Sequence, residues 1–227
     1  MRHLVLAGAL LALSCSPTHP RTRAPASVTP SGGGPTSTSP AASRAGAPTP
    51  DESEREFPEG AVPDIEYVPT PQSVVDKLLD VAKIRKDDVL YDLGCGDGRI
   101  VINAAKRFGI HAVGYDIDPK RVAESRVNVK NNGVEHLVTI EEKNIFDVDL
   151  SRATVVTLYL LPELNVRLIP QLEKLAPGSR IVSHDFDMEG VEPDQTWTVI
   201  ARDHREPKNR EHYVYLWKTP LRKVAAK

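Results

Sequence analysis

The sequence predicts an α/β fold: a seven-stranded, mostly parallel sheet with helices on both faces and an antiparallel C-terminal hairpin strand. Three observations predict it. From residue 70 onward, short apolar runs alternate with stretches of helical periodicity. Gly, Pro or Asp marks most changes from one to the other. The last two runs, "QTWTVIA" and "HYVYLW", instead alternate along their length around the charged loop "RDHREPKNR", as the arms of a hairpin do. Strand–helix alternation implies parallel strands covered on both sides.

The elements follow in order. "VPTPQSVVDKLLDVAKI" opens a helix with Thr70 as N-cap and Pro71 at its first position, and Val74, Val75, Leu78 and Leu79 recur at helical spacing. "DVLYDLG" is a buried strand ending at glycine. In "DGRIVINAAKRFG" the apolar face is Val101, Ala104, Ala105 and Phe108, and Gly109 is the stop. "HAVGYDID" is the second strand, and "DPKRVAESRVNVKNNG" is a helix capped by Asp118, with Pro119 first and Gly133 at its end. "LVTIEEKN" and "ATVVTLYLL" are strands three and four. "PELNVRLIPQLEKLAPG" is helical through Leu164, Leu168, Leu172 and Leu175, and Pro170 predicts a kink or a break into two short helices. "RIVSHDF" is the fifth strand.

The chain ahead of this unit differs in kind. "MRH" followed by "LVLAGALLAL" has the charged start and short apolar core of an export signal, too short to span a bilayer. It ends at Cys15 as a lipoprotein signal does, although Ala12 stands where such signals usually carry Leu. From 16 to 60 the chain is rich in Pro, Ser, Thr, Ala and Gly, a composition that cannot bury enough surface to order itself. The expected organisation is a signal over 1–15, a tether over 16–60, a folded domain over 61–219 and a short tail over 220–227. A lipid-anchored place in a bacterial cell envelope follows, with membrane contact only through Cys15. The alternative is a cytoplasmic protein whose translation starts downstream, and the only other methionine, Met188, would not serve as that start. The formal charge of −2 supplies no basic field, so no nucleic-acid partner is expected. The two cysteines, Cys15 and Cys95, do not make a disulfide framework.

"YDLGCGDGRI" carries the chemistry. Gly94, Gly96 and Gly98 allow a tight turn and a close approach of backbone to ligand, at the carboxyl end of a strand where open α/β sheets bind their ligands. The helix that follows offers free N–H groups to a carboxylate or phosphate. Dinucleotides and S-adenosylmethionine (SAM) both use such a loop. The dinucleotide pattern G-x-G-x-x-G needs a third glycine at 99, where this chain has Arg99. Asp92, just ahead of the loop, would repel a pyrophosphate and suit an amino-acid ammonium. Asp116 ends the second strand about 20 residues on, where a carboxylate can take ribose hydroxyls.

"YDLGCGDGRIVINAA", "VGYDIDPKRVAESR", "EKNIFD" and "RIVSHDF" resemble the class I SAM-dependent methyltransferases, with their Rossmann-like fold, over about Tyr67 to Trp217. The resemblance implies that Asp92, Gly94, Cys95 and Gly96 line the methionine end of SAM, that Asp116 and Ile117 hold the ribose and adenine side, and that Asn144 and Ile145 contact adenine; Gly98 completes the cofactor-binding set. Many relatives have Asp in place of Asn144. "YVPTP" and "DLGCGDGRIV" further resemble the lysine methyltransferases of the mitochondrial ATP-synthase c-subunit and ADP/ATP-carrier type and their bacterial relatives, which implies that Tyr67 and Val68 fold over the cofactor. "LYLLPE" stands where an Asn-Pro-Pro-Tyr acceptor signature would, which argues against methylation of planar bases or glutamine amides.

The expected reaction is direct displacement onto a protein lysine, with a small-molecule acceptor, or a SAM-binding domain without turnover, as alternatives. The catalytic residue is open, with Tyr159 and His184 as candidates: Tyr159 and Leu160 would wall an apolar pocket, and His184 stands in "SHDFD" beside Asp185 and Asp187. That cluster reads as a polar strand end facing the cleft, and no metal is expected. Cys95 reads as a small space-filling residue, and His111 and His136 as surface or strand-edge residues.

Overall fold

The computed structural model of the protein describes residues 67–203 and 208–224. The expected signal, Cys15, the tether and the start of the domain lie outside the described residues, as does part of the charged hairpin loop. Helix α1 spans Gln72–Val81, β1 Val89–Leu93, α2 Arg99–Phe108, β2 His111–Asp116, α3 Pro119–Asn131 and β3 Val138–Glu142. A 3₁₀ turn at Ile145–Asp147 leads to β4 (Val155–Leu158), α4 (Pro162–Leu172), β5 (Arg180–His184), β6 (Gln195–Arg202) and β7 (Asn209–Lys218).

The seven strands form one sheet in the order β3-β2-β1-β4-β5-β7-β6. Strands β1 to β5 are parallel, and β7 runs antiparallel to both β5 and β6. The hairpin therefore does not simply add its last strand at the edge: β7 inserts between β5 and β6, and β6 is left outermost. Burial explains the choice. Strand β7 places Val214, Leu216 and Trp217 in the interior, whereas β6 has one buried residue, Ala201, and leaves Ile200 largely exposed.

Successive residues of a strand point to opposite faces, and the sheet thereby serves two cores. Leu90, Val155 and Val182 pack with α1, α2 and α3 on one face. Tyr91, Val156 and Ile181 pack with Leu164, Leu168 and Leu172 of α4 on the other. Two helix signals resolve differently from expectation. Pro71, not Thr70, is the N-cap of α1, because the Thr70 side chain is buried and turned to His184. Helix α4 runs unbroken through Pro170. That residue lies two positions before the helix end, so its missing N–H forfeits a single bond, and the Glu173 N–H closes the end on Ile169.

At the amino ends of the strands the buried Arg180 guanidinium pairs with Asp88 and donates to the Ala82 carbonyl at 3.0 Å, while Thr154 donates to Asp88 at 2.8 Å. This joins α1, β1, β4 and β5 far from their carboxyl ends, where the cavity lies.

Candidate active site

A cavity of about 380 Å³ opens at the carboxyl ends of β1, β2 and β4. Nine of the expected cofactor residues line it: Tyr67, Val68, Asp92, Gly94, Cys95, Asp116, Ile117, Asn144 and Ile145. The other two, Gly96 and Gly98, do not line it.

The loop is built by β1 turning back beside β2. The Gly94 and Cys95 N–H groups both donate to the Tyr115 carbonyl, at 2.8 and 2.9 Å. Gly96 has φ of 55°, a left-handed conformation that suits glycine. A Cβ there would stand 2.2 Å from a ring carbon of Tyr67. Cys95 packs its sulfur against Gly114, and burial, with Asp92 and Asp116 nearby, pushes its thiol pKa well up, so the thiol stays protonated.

Three carboxylates meet at this loop. The Gly96 N–H donates to Asp116 at 2.7 Å, and the Asp118 N–H donates to the other Asp116 oxygen at 3.0 Å. Asp97 accepts from the Arg99 N–H at 3.2 Å, so the first turn of α2 is filled by the chain's own carboxylate rather than left open to an external anion. Asp92 is nearly fully buried and accepts from the Thr157 hydroxyl at 2.7 Å. Burial raises its pKa to about 7 against that bond, with Asp116 and Asp97 adding to the rise. Burial raises the pKa of Asp116 as well. A cavity so furnished repels a pyrophosphate and favours a ligand carrying positive charge.

Arg99, in the place of a third glycine, clamps the site. It forms a fork with Asp97, Nε at 2.9 Å and Nη2 at 2.6 Å, and donates through Nη1 to the Thr70 carbonyl at 2.7 Å. The segment Tyr67–Thr70 is thereby held across the loop. Burial, together with the Asp97 carboxylate, pushes the Tyr67 pKa up to about 12, and Arg121 lies over its ring at 4.8 Å. Sequence reasoning missed Arg99, Asp97 and Thr70 as site residues. The one available signal was a charged residue where a glycine fingerprint would continue.

The two catalytic candidates part company. Tyr159 lines the cavity, and its ring lies against His184 at 3.9 Å and parallel to Phe186 at 6.1 Å. His184 is not on the cavity wall. It is wholly buried, with Nδ1 3.2 Å from the Thr70 hydroxyl and Nε2 2.9 Å from His212 Nδ1. Burial lowers its pKa to about 3, with His212 and Arg210 contributing and Asp185 opposing, so it is neutral at physiological pH. His184, Asp185 and His212 are close enough together to suggest a metal site. The Asp185 oxygen nearest the two rings, however, already accepts from Arg210 Nη2 at 2.6 Å, so a guanidinium competes for the one carboxylate of the group.

Comparison with known proteins agrees with this geometry. The chain is 48% identical over 158 residues to a protein-lysine N-methyltransferase of Saccharolobus islandicus, an alignment covering 69% of this chain and 94% of that protein. The family model of the ANTKMT methyltransferase domain matches residues 92–195. The chain belongs to the class I SAM-dependent methyltransferases. It is 34% identical to the ATP-synthase c-subunit lysine N-methyltransferase of Xenopus laevis, over 56% of each chain, and so spans just over half of that relative's length. A crystal structure described as an RNA methyltransferase from Salinibacter ruber with S-adenosylhomocysteine superposes with a TM-score of 0.62 at 46% identity, covering 70% of this chain and 98% of that one.

SAM is the cofactor of this methyltransferase, and the cavity fits it. Asp92 is a buried carboxylate suited to the ammonium, and the glycine loop lets backbone come close where side chains would clash. Asp116 ends β2 beside the cavity, and Ile117, Ile145 and Phe146 give it an apolar side.

Proposed function

We propose that this methyltransferase transfers the methyl group of SAM by direct displacement to the side-chain amine of a protein lysine. The observation that carries the reading is the cavity's wall beyond the glycine loop. Val68, Tyr159, Leu160 and Phe186 are apolar or aromatic, and none of them carries a carboxylate or an imidazole. A lysine must lose a proton before its nitrogen can attack, and an apolar wall favours that loss because it disfavours the ammonium. Bound in the cavity, SAM supplies an electrophilic methyl: the amine lone pair forms the N–C bond while the C–S bond breaks and its electrons return to sulfur. The chain's own residues hold and align. Asp92 pairs with the ammonium of the cofactor, Asp116 takes ribose hydroxyls, and Asn144, fixed by the Phe146 N–H at 3.1 Å, stands at the adenine end. Alignment of this kind carries much of the rate in a displacement reaction. The lysine acceptors named for the Saccharolobus and Xenopus relatives support the reading.

The test incubates the protein with SAM labelled in its methyl group and with cell extract, with Asp116→Ala as the blank. Acid hydrolysis of the labelled protein should yield methylated lysine, absent from the blank. Label recovered only in RNA or in small molecules would overturn the lysine assignment.

A further inference from the structure

A second cavity of about 390 Å³ adjoins the first, and Val68, Tyr159 and Phe186 line both. With a cavity on either side, the Phe186 ring is not fixed by side-chain packing alone. Its centroid lies 6.1 Å from that of Tyr159, with the two planes 20° apart. What fixes Phe186 is the backbone that carries it. That backbone is a tight turn after β5. Asp185 adopts φ of 62°, a left-handed conformation uncommon for a residue with a Cβ, and the Phe186 N–H closes the turn on the His184 carbonyl at 2.8 Å.

Buried side chains from two elements hold this turn. Ser183 of β5 donates its hydroxyl to the Phe186 carbonyl at 2.6 Å. Asn165 of α4 is wholly buried, and its Nδ2 donates to the Phe186 carbonyl at 3.2 Å and to the Asp187 carbonyl at 3.0 Å. Carbonyls only accept, so the amide cannot be turned over. Its Oδ1 is consequently buried with no hydrogen-bond partner among the described residues. An unmet buried acceptor is destabilising, and a leucine, of like shape, would avoid it. Asn165 is thus an indifferent stabiliser of the fold and a specific hold on one turn. Two unfavourable features, the Asp185 backbone and the Asn165 Oδ1, meet where Phe186 is carried to the cavity wall.

We propose that Asn165 is a positioning residue for methyl transfer: by holding the turn it sets where the Phe186 ring stands against Tyr159, and with it the line on which the acceptor amine reaches the methyl group of the cofactor. The proposal rests on the lysine reading above and adds what keeps the apolar wall in place. Displacement is sensitive to that line, because nitrogen, methyl carbon and sulfur must stand in a row. A misplacement of about 1 Å costs on the order of a hundredfold in rate. Asn165 does not itself line the cofactor cavity, so it acts through Phe186, which does.

The test measures methyl transfer from labelled SAM to poly-L-lysine by the wild-type protein, Asn165→Leu, Phe186→Ala and the double variant. Thermal melts check folding, and calorimetry gives the SAM affinity of each. Asn165→Leu should lower kcat by about tenfold or more, while its melting temperature and SAM affinity stay near wild type, a split that a merely structural residue does not give. Because Asn165 acts through Phe186, the double variant should be no slower than Phe186→Ala alone. Ser183→Ala, a smaller excision at the same carbonyl, should lower kcat in the same way, and it carries the comparison if Asn165→Leu does not fold. An unchanged kcat in the Asn165 variant, or losses that multiply in the double variant, would overturn the positioning role and leave the lysine reading standing. No wild-type transfer to lysine in poly-L-lysine or in cell-extract protein, with SAM bound, would count against the lysine reading itself and remove the ground of the proposal.

Discussion

At the scale of single residues, Asp92 is the group on which pH acts most directly. Its pKa in the folded, ligand-free protein is raised to about 7 from an ordinary 3.8. A raised carboxylate pKa contributes its stability fully below the unfolded value and loses it as pH rises through the folded one. The ligand-free protein should therefore lose up to about 4 kcal/mol between pH 4 and pH 8 through this group, and Asp92→Asn should abolish most of that loss. Denaturant melts across the pH range read both. SAM binding runs the other way, because only the charged carboxylate pairs well with an ammonium. Calorimetry should find affinity rising about tenfold from pH 6 to pH 8 in the wild type, and a flat, weaker affinity in Asp92→Asn. A flat wild-type profile would detach Asp92 from the cofactor.

At the scale of elements, the strap Tyr67–Thr70 and the glycine loop beneath it act as one unit. Arg99 holds the strap from the side, and the absence of a side chain at Gly96 gives the Tyr67 ring its seat. Arg99→Ala should release the strap while leaving α2 formed. Gly96→Ala should push it off from below, at a cost of about 1–3 kcal/mol for the strained backbone alone. Amide hydrogen exchange should be faster at Tyr67, Val68 and Thr70 in both variants, with the core of α2 protected as before, and SAM affinity should fall in each. Unchanged exchange over that segment in Arg99→Ala would mean that the strap is held by packing alone.

At the scale of the whole molecule, the two ends of the sheet carry separate duties. Arg180, with Asp88, Thr154 and the Ala82 carbonyl, ties four elements together at the amino ends of the strands, and ligand chemistry occupies the carboxyl ends. Breaking such a pair leaves an uncompensated buried charge, at a cost of about 3–5 kcal/mol. Arg180→Ala should lower the unfolding free energy by that amount, while the folded fraction keeps wild-type SAM affinity. A matching loss of affinity would show that the two ends are coupled.

The order of strands and helices was legible in the chain itself, because periodicity is local: β1, α2, β2 and α3 each announce their buried face and their caps within a dozen residues. The ligand class was legible for the same reason, since Asp92, the three loop glycines and Arg99 lie within eight consecutive positions. What periodicity does not encode is which strands become neighbours. The insertion of β7 between β5 and β6 brings His212 to His184, and Arg210 to Asp185 across 25 residues. It covers His184, which in "SHDFD" reads as a cleft residue, and builds the second cavity. Arg99 likewise reaches back 29 residues to Thr70. Those contacts depend on strand order and on how deeply each strand sits in the sheet, and only the folded chain decides either.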